Sequence, residues 1–360
     1  MPWFDEYSPD VGSPVEMIDL FAGAGGLTSG FVSTGRFRPV AAVESDLHAA
    51  ATYAHNFGDH VYVGDIADWV EGSMPRAQVV VGGPPCQGFS ALGKRNVDDP
   101  RNVLWRHYMA VIRRVRPAFF VLENVPNFLK SDQFALLLGE TRSAGLMSAY
   151  ALEPHVLVAS DYGVAQNRRR AVVVGRLREL PPLGPPEPVE SLDMQSVMPP
   201  WLTPQVARTA LPESTTDFRA ARVPGVFKLQ DLHFSPPPSA LSLSRYQAIP
   251  PGGSRLDLPE GLKMRCWTGP TTGSGDVMGR LRWDRPSVTI RTEFFKPEKG
   301  RYLHPDEHRA ITHAEAAIIQ GFPEDFEWCG NRASTARQIG NAVPPPMGAA
   351  IARHLAERIV

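Results

Sequence analysis

The stretch that most constrains the fold of this chain is a predicted buried strand followed by a turn through which neither a strand nor a helix can continue. Three valines, Val79 to Val81, are followed by Gly82-Gly83-Pro84-Pro85-Cys86-Gln87-Gly88-Phe89-Ser90. The prolines fix φ and remove backbone donors, so neither strand nor helix continues through them, and the glycines permit a sharp turn. The pattern predicts Cys86 at the exposed end of a core strand, where open α/β sheets place their chemistry. A lone cysteine is usually a small buried hydrophobe, and we interpret Cys86 as a nucleophile because of the motifs around it.

The composition is that of a globular protein with room for two domains. The chain has 360 residues, of which 43% are hydrophobic and 21% are charged, enough for a well-buried core. Its apolar runs are interrupted well short of a bilayer span and no leader pattern opens the chain, so we expect no membrane insertion or secretion. The three cysteines, Cys86, Cys266 and Cys329, are far apart. This spacing excludes a CxxC pair or a cysteine-built zinc site and fits a reducing, cytoplasmic location.

Charge is unevenly distributed along the sequence. Residues 1–80 carry eleven acidic and three basic side chains, whereas residues 263–301 carry nine basic and four acidic ones, in a protein of formal net charge -1. The basic segment suggests a local footprint for a polyanion. From charge alone, a solvated basic face is an equally good interpretation.

The first strand predicts a nucleotide-cofactor turn. Glu16 to Phe21 reads as a strand that enters Ala22-Gly23-Ala24-Gly25-Gly26, and a helix follows from about Leu27 to Thr34. Backbone donors at such a helix start face a ligand. The spacing is not the dinucleotide GxGxxG, because Thr28 occupies the third glycine position. Asp19, just before the turn, could accept a hydrogen bond from an ammonium group.

Acidic residues close the next two predicted strands. Glu44 ends the strand Val40 to Val43 and could accept from both hydroxyls of a ribose, as in dinucleotide folds. After Val61 to Val63, Asp65 could accept from an exocyclic amine, with Ile66 packed against the ring. Together the three strand ends suit an adenosine and do not require a pyrophosphate.

Two further sequence features carry candidate chemistry. Glu123 follows the buried strand Ala118 to Leu122, where a poorly solvated carboxylate suits acid–base work, although a structural carboxylate bonded to loop amides is equally compatible. The cluster Arg168-Arg169-Arg170 adjoins a strand and small residues, which favours aimed guanidinium groups. A third set, the histidines at positions 304, 308 and 313, has no convincing companion ligands, so we predict no metal site there.

Composition changes at Pro181, where a run of prolines to Pro200 indicates a semi-rigid linker. The predicted fold is α/β, with a Rossmann-like, mixed and mostly parallel sheet and a smaller, irregular, strand- and loop-rich domain.

Taken together, these stretches closely resemble the C5-cytosine DNA methyltransferase family of the bacterial modification type. The match covers most of 15–175 and 283–355 and keeps the family's order of motifs. The motifs that carry it are Asp19-Leu20-Phe21-Ala22-Gly23-Ala24-Gly25-Gly26, Glu44, Asp65-Ile66, Pro84-Pro85-Cys86-Gln87, Glu123-Asn124-Val125, Gln166-x-Arg168-x-Arg170, Arg285-Pro286-Ser287 through Arg291, and Gln338 to Pro345.

The resemblance implies a cofactor, a substrate and roles for residues. The methyl donor would be S-adenosylmethionine, with S-adenosylhomocysteine as product and no metal. The acceptor would be a flipped-out cytosine in a short sequence of double-stranded DNA, held between two lobes. The lobes would be a catalytic and cofactor-binding domain at 1–180, completed by 336–360, and a target-recognition domain at 181–308, with 309–335 as a hinge region back to the catalytic domain. Cys86 would be the nucleophile, Glu123 would bond N3 and Arg170 would hold the O2 side of the base. Positions that match family cofactor contacts are Phe21, Ala22, Gly23, Gly25, Gly26, Glu44, Asp65, Ile66, Pro84, Leu104, Asn341 and Val343.

Partners follow from the same resemblance. Ser90, Lys94, Arg101 and Arg168 are candidates for gripping the DNA backbone around the extruded nucleotide. The protein would act as a monomer in the bacterial cytoplasm, as the modification enzyme of a restriction–modification system. A cognate endonuclease would act on the same site without direct contact.

Three alternative functions are compatible with parts of the sequence. A tRNA cytosine methyltransferase would share the catalytic lobe, but such relatives tend to carry a Cys-Phe-Thr tripeptide, which is absent here. A non-catalytic DNA-binding protein would have no use for Cys86, Glu123 and Arg170 together. An NAD-dependent oxidoreductase fails on the glycine spacing and gives Cys86 no role.

Overall fold

Hydrophobic strand segments from the first half of the chain assemble into one seven-stranded sheet in the computed structural model of the protein. The structure describes residues 13–85, 104–202, 206, 208–267 and 275–359. The chain divides into two compact units. Unit 1 comprises Met1–Val158, Arg169–Pro188 and Val343–Val360, and unit 2 comprises Ala159–Arg168 and Val189–Ala342.

The regular elements of the described residues have the following bounds. The strands are β1 (Val15–Leu20), β2 (Phe37–Glu44), β3 (Val61–Val63), β4 (Val79–Gly82), β5 (Phe119–Asn124), β6 (Tyr150–Val158), β7 (Gln166–Asn167), β8 (Arg169–Leu177), β9 (Thr215–Phe218), β10 (Ala221–Pro224) and β11 (Ser287–Val288). The α-helices are α1 (Gly26–Val32), α2 (Leu47–Phe57), α3 (Ile66–Glu71), α4 (Leu104–Val115), α5 (Asp132–Glu140), α6 (Met194–Val197), α7 (Ala240–Ala248), α8 (His313–Ile319), α9 (Arg332–Asn341) and α10 (Pro345–Ala356).

The sheet of unit 1 has the order β3-β2-β1-β4-β5-β8-β6. Its first five strands are parallel, and β8 pairs antiparallel with both β5 and β6. Since β2 and β4 lie on opposite sides of β1, the direction of strand order reverses between β1 and β4. Ligands of open α/β sheets bind outside the carboxyl ends of the strands at such a switch point. The predicted α/β class with a mixed, mostly parallel sheet is confirmed.

Burial on both faces explains why the central strands are continuous apolar runs. Every residue of β4 and of β5 is buried, as expected where helices cover both faces of a parallel sheet. The helices α1 and α10 pack closely, because the absence of a side chain at Gly30 lets the two backbones approach each other. A Cβ at Gly30 would lie 2.3 Å from the carbonyl oxygen of Pro345. The C-terminal helix thereby completes unit 1.

Unit 2 contains little regular sheet. Its strands form two ribbons, β9 with β10 and β7 with β11. Buried polar side chains take over part of the role of a sheet ladder. Arg280, which is 2% exposed, donates to the backbone carbonyls of Tyr246, Ile249, His304 and Glu307. Such bonds satisfy carbonyl groups that a strand partner would otherwise occupy.

The boundaries of the units differ from the predicted domain boundaries. Residues 159–168 and 309–342 group with unit 2, whereas the first prolines of the linker, up to Pro188, group with unit 1. The helix α9 was not anticipated, because its sequence carries no strong apolar stripe. It is stabilised by tertiary contacts, with Ile339 and Ala336 buried at its inner face.

Candidate active site and cofactor turn

Four strand ends of unit 1 bring the predicted cofactor residues to one edge of the sheet. Leu20 pairs in register with Val43 on one side and with Gly82 on the other, and Glu44 pairs with Val63. The glycine turn after β1, Glu44, the Asp65 turn and the Pro84 loop therefore follow neighbouring strand ends. The carboxyl ends of parallel strands form this edge, which is where the fold places ligands.

The glycine turn after β1 combines a closed inner side with an open outer side. Phe21, Gly23 and Gly25 all have positive φ values, of 58°, 57° and 87°. A Cβ on Gly25 would lie 2.3 Å from the ring of Phe57 and 2.9 Å from that of Tyr53, whereas one on Gly23 would meet no described atom within 4 Å. The turn therefore packs against the rings of Phe57 and Tyr53 at Gly25 and has open space next to Gly23. The backbone geometry is one that glycine adopts without strain.

Glu44 fixes the glycine turn to the end of β2. Its Oε2 accepts from the backbone N–H of Gly23 at 2.8 Å, and its Oε1 accepts from that of Asp46 at 2.7 Å. Burial raises the pKa of Glu44, while these two backbone hydrogen bonds lower it. Each carboxylate oxygen retains a second lone pair, so the predicted bonds to ribose hydroxyls remain possible.

The other predicted cofactor residues of unit 1 lie on the same edge or in its core. Asp65 is exposed and its Oδ1 accepts from the N–H of Ala67, so it caps the start of α3. Ile66 and Val343 are buried, and Leu104 is the first residue of α4. Asn341, in contrast, is an exposed residue at the end of α9 and belongs to unit 2.

Asp19 lies beneath the turn in a buried hydrogen-bond chain that the sequence did not reveal. It is 1% exposed, and its Oδ2 accepts from the hydroxyl of Thr28 at 2.6 Å. That hydroxyl lies 3.3 Å from the hydroxyl of Tyr53, which is itself 3.4 Å from Nε2 of His60. Burial raises the pKa of Asp19 to about 7, with the Thr28 bond acting to lower it and Glu44 to raise it. Asp19 and Thr28 therefore support the turn from below.

Glu123 and Arg170 form the polar centre of the predicted catalytic edge. Glu123 lies at the end of β5 and is 8% exposed. Nε of Arg170 lies 2.8 Å from Oε1 of Glu123 as an ion-pair partner. Oε1 is buried and accepts no hydrogen bond of good geometry from the described residues. The arrangement leaves this oxygen with hydrogen-bonding capacity for a further group.

Asn124 positions the proline loop beside this carboxylate. Its Nδ2 donates to the carbonyl oxygen of Pro84 at 3.0 Å, and its Oδ1 accepts from the N–H of Val125. A Cβ on Gly83 would lie 3.1 Å from Oε2 of Glu123, so the loop backbone passes directly against the carboxylate. Sequence reasoning placed Asn124 only in a motif. Its role as an anchor depends on β4 and β5 being neighbours in the sheet.

Several predicted site residues lie outside the described residues. Cys86, Ser90, Lys94 and Arg101 fall within 86–103, which the structure does not describe. The described chain ends on this side at Pro85, one residue before Cys86. The roles assigned to these four residues stay predictions.

Arg168 has a different environment from the one predicted for it. It is 1% exposed, and its two terminal nitrogens donate to the carbonyl oxygens of Ile290 and Gly340 at 3.0 and 2.9 Å. A buried guanidinium held at both ends does not reach a DNA backbone. We therefore withdraw Arg168 from the DNA-contacting set: the residue joins separate segments of unit 2.

The histidines at 304, 308 and 313 take part in contacts within unit 2, and Nδ1 of His308 lies 3.4 Å from a terminal nitrogen of Arg280. Nδ1 of His304 accepts from the backbone N–H groups of Asp306 and Glu307, and Nε2 of His313 donates to the carbonyl oxygen of Arg332. Burial lowers the pKa of His304 to about 4 and that of His313 to about 3. Within the described ranges, no group of three or more His, Cys, Asp or Glu side chains could hold a metal ion. In the same ranges, no helix combines the length and apolar character needed to cross a bilayer.

Comparison with known proteins identifies the family. A family model described as C-5 cytosine-specific DNA methylase matches residues 15–357. The chain belongs to this family. Among curated proteins, the type II methyltransferase M1.HphI of Haemophilus parahaemolyticus is 34% identical over 351 residues, which cover 93% of this chain and 85% of that protein. The type II methyltransferase M.DdeI of Desulfomicrobium norvegicum is 30% identical over 389 residues, covering 96% of this chain and 88% of the relative.

Solved structures with the same fold support the architecture. A DNA modification methyltransferase encoded within an E. coli prophage superposes with a TM-score of 0.70 at 24% identity and covers 96% of this chain and 99% of its own. The Dnmt2 methyltransferase of S. pombe superposes with a TM-score of 0.63 at 14% identity, covering 96% and 99%. At these identities the likeness shows the fold alone.

Membership in the C-5 cytosine-specific DNA methylase family assigns the reaction at a coarse level. The protein is a DNA (cytosine-5-)-methyltransferase related to the type II restriction–modification enzymes, and it acts on DNA. The family description and the type II methyltransferases among the relatives favour DNA over tRNA as the substrate and an enzyme over a binding protein.

Proposed function

We propose that the protein transfers a methyl group from S-adenosylmethionine to C5 of a cytosine that has been flipped out of duplex DNA, through a covalent bond between Cys86 and C6 of the base. The observation that carries this proposal is the Glu123 carboxylate, which lies beside Arg170 and against the backbone of Gly83, three residues before Cys86. A nucleophile loop, a carboxylate and a guanidinium on adjoining strands are the parts that such an addition requires.

The turn after β1 and its neighbours fit S-adenosylmethionine. The open space above Gly23, the carboxylate of Glu44 and the exposed carboxylate of Asp65 lie on one sheet edge. Glu44 would hold the ribose hydroxyls, Asp65 the adenine amine, and Ile66 with Pro84 the faces of the ring. When bound, the cofactor supplies an electrophilic methyl group on its sulfonium.

The residues of the chain would make the cytosine reactive. C5 of cytosine is too electron-poor to attack a methyl sulfonium, and addition of the Cys86 thiolate at C6 turns the ring into an enamine with a nucleophilic C5. Glu123 would bond N3, where charge develops, and Arg170 would hold O2. Once C5 is methylated, loss of its proton and expulsion of Cys86 restore the aromatic ring.

Access to the base sets a further requirement. C5 and C6 cannot be reached inside a base stack, so the cytosine must leave the duplex, at a cost of a few kcal/mol. Ser90, Lys94 and Arg101 remain our candidates for holding the backbone around the extruded nucleotide.

The biological setting follows from the named relatives. M1.HphI and M.DdeI are type II methyltransferases. We propose that this protein likewise modifies one short DNA sequence as a monomer and that a cognate endonuclease recognises the same site without contacting it. Bisulfite sequencing of DNA from cells that express the protein tests this. One cytosine within a recurring short sequence should remain unconverted, because 5-methylcytosine resists bisulfite.

Covalent trapping tests the catalytic mechanism. Duplex DNA with 5-fluorocytosine at the target position should become attached to the protein in the presence of S-adenosylmethionine, because the fluorine cannot leave C5 as a proton does. The Cys86→Ser variant should bind the same DNA, form no adduct and have no methyl transfer activity. Activity close to that of the wild type in this variant would refute the proposed nucleophile, and failure of the wild type to form an adduct would count against covalent catalysis.

A further inference from the structure

A small groove of about 80 Å³ lies within unit 2, apart from the residues assigned so far. Its walls are aromatic and proline side chains, including Phe234, Tyr246, Phe295 and Pro297. Two arginines, Arg309 and Arg332, also line it. The mixture of flat apolar surface and guanidinium groups is typical of a site for an anion that carries an apolar or planar part.

The two arginines differ in how their charge is compensated. Arg309 makes a two-pronged ion pair with Glu315, with N–O distances of 2.7 and 2.9 Å. Arg332 is half-buried, and no carboxylate among the described residues lies within ion-pair distance of it. Nε of each arginine is buried and has no hydrogen-bond acceptor among the same residues, so the difference between the two lies in the carboxylate partner. Burial alone lowers the pKa of Arg332, with no acidic group acting in the other direction. A desolvated charge of this kind costs free energy unless an anion joins it.

A column of stacked rings holds the Arg332 guanidinium in place. Phe234 and His313 are stacked with centroids 4.8 Å apart, and His313 and Phe295 with centroids 5.6 Å apart. The guanidinium carbon of Arg332 then lies 4.5 Å from the centroid of Phe295. A planar guanidinium on an aromatic face keeps its N–H groups free at the edges, so stacking fixes its position without using its donors.

Three other arginines of unit 2 find partners within the protein. Arg282 pairs with Asp284, Arg208 pairs with Asp231, and Arg280 is held by backbone carbonyls. Their donors are occupied by groups of the protein itself. Arg332, by contrast, combines a fixed position with unused donors, which is the arrangement expected of a residue that binds an external anion.

We propose that Arg332 binds a backbone phosphate of the DNA substrate at this groove, which Phe295, Pro236 and Pro238 also line. The proposal rests on the proposed function, because duplex DNA is the polyanion on which the enzyme acts. A guanidinium donates two parallel N–H bonds to phosphate oxygens, and the flanking prolines and aromatic rings suit the adjoining sugar. The contact is with the backbone, so it would not read the sequence.

The salt dependence of DNA binding tests the proposal. The affinity of wild type, Arg332→Gln and Arg332→Lys for a short duplex is measured by fluorescence anisotropy over a range of salt concentrations. Losing one phosphate contact should reduce the slope of log affinity against log salt by about 0.9. We expect this for Arg332→Gln, with an equal loss of affinity on target and non-target duplexes. Arg332→Lys should retain the slope and bind more weakly than the wild type, since it keeps the charge without the fork.

Controls separate this inference from the other possibilities. Arg353→Gln, at an exposed position of α10 outside the groove, makes the same charge change and should leave the slope unchanged. Equal slopes for wild type and Arg332→Gln would overturn the proposal. If inorganic phosphate then raised the melting temperature of the wild type but not that of Arg332→Gln, the groove would be a site for a free anion and not for DNA. Absence of DNA binding by the wild type would instead refute the proposed function. Thermal unfolding and S-adenosylmethionine binding confirm that each variant is folded.

Discussion

Glu123 illustrates how one residue acquires its chemistry from the strand that carries it. It is the penultimate residue of a strand whose residues are all buried, so the carboxylate is largely removed from water. The carboxylate nevertheless lies at the edge where Gly83 and Arg170 meet it. Arg170 offsets part of the cost of burying the carboxylate. The same ion pair fixes the orientation of both side chains. In the proposed mechanism this would be preorganisation of the kind that favours a transition state.

A matched pair of substitutions separates catalysis from structure at this site. Glu123→Gln keeps the shape and removes the charge, and we expect kcat to fall by roughly a hundredfold or more, because N3 then loses its charged partner. Glu153→Gln is the control, since Glu153 makes a comparable ion pair with Arg176 in the same sheet, at 2.5 Å. It should lower the free energy of unfolding by about 1–3 kcal/mol and leave kcat unchanged. Equal effects of both variants on kcat would contradict a catalytic role for Glu123.

Asp19 should make the stability of the protein fall as pH rises. Burial raises its pKa from 3.8 to about 7, so between these values the folded state holds a proton that the unfolded state has lost. The free energy of unfolding then decreases from pH 4 to pH 7, by up to about 4 kcal/mol from this group. Asp19→Asn removes the dependence. Urea unfolding of both proteins without cofactor, at pH 5, 6, 7 and 8, measures it, and parallel profiles would show that Asp19 is not the group responsible.

At the scale of elements, the contact between α1 and α10 depends on one missing side chain. A Cβ on Gly30 would lie 2.3 Å from the carbonyl oxygen of Pro345 and 2.6 Å from the backbone nitrogen of Ala349. Backbone atoms cannot move aside as a flexible side chain does. The C-terminal helix is therefore attached to unit 1 by close backbone packing, which a methyl group would separate.

Substitution of two helical glycines by alanine checks this point. Gly30→Ala should destabilise the protein by about 1–3 kcal/mol, as is typical of overpacking. Gly139→Ala, in α5, adds the same methyl group where no described atom lies within 4 Å, and should stabilise by up to about 1 kcal/mol through helix propensity. Both values come from urea unfolding at one pH. Equal effects of the two substitutions would mean that α1 and α10 can separate at little cost.

The basic segment at 263–301 shows that charge counts in a sequence overstate free surface charge. Lys296 and Lys299 both lie within ion-pair distance of Glu293, and Arg301 pairs with Asp276. Arg280 is buried among carbonyls. Much of the apparent polyanion footprint is therefore used within unit 2, and Arg332, which lies outside that segment, is the better candidate for an anion.

For the molecule as a whole, the two units should respond to pH in opposite directions. Asp19 in unit 1 favours the folded state at low pH. In unit 2, burial lowers the pKa of His313 from 6.5 to about 3 and that of His304 to about 4. The unfolded state then binds protons that the folded state does not bind, so these groups lower the free energy of unfolding as pH falls below 6.5.

Replacing His313 measures its share of the acid sensitivity. Between pH 7 and pH 5 the free energy of unfolding of the wild type should fall by about 2 kcal/mol because of this residue. His313→Phe keeps a flat ring between Phe234 and Phe295 and cannot be protonated. The decrease in its free energy of unfolding between pH 7 and pH 5 should therefore be about 2 kcal/mol smaller than that of the wild type. His55→Gln, at an exposed position of α2, is the control and should behave like the wild type. An undiminished loss in His313→Phe would assign the acid sensitivity to other groups.

Much of unit 1 could be predicted because its signals are local. An apolar run followed by glycine, proline or an acid marks a buried strand and its end, and the observed bounds of β3 and β4 follow those patterns closely. The order of such strand ends was enough to predict the α/β class and the edge at which Glu44, Asp65 and Glu123 lie. In unit 2 periodicity is weak, and α7 and α9 were not anticipated, since their stability comes from packing.

The sequence by itself determined which residue types stand at which strand ends, because each of those signals is contained within about ten neighbouring residues. Only the tertiary structure decided what the side chains contact. Arg168 and Arg170 are two residues apart and equivalent in local pattern, yet one donates to carbonyls 122 and 172 residues away in the chain and the other pairs with Glu123. Which long-range partner a guanidinium finds depends on how distant segments pack around it, and no local pattern records that arrangement.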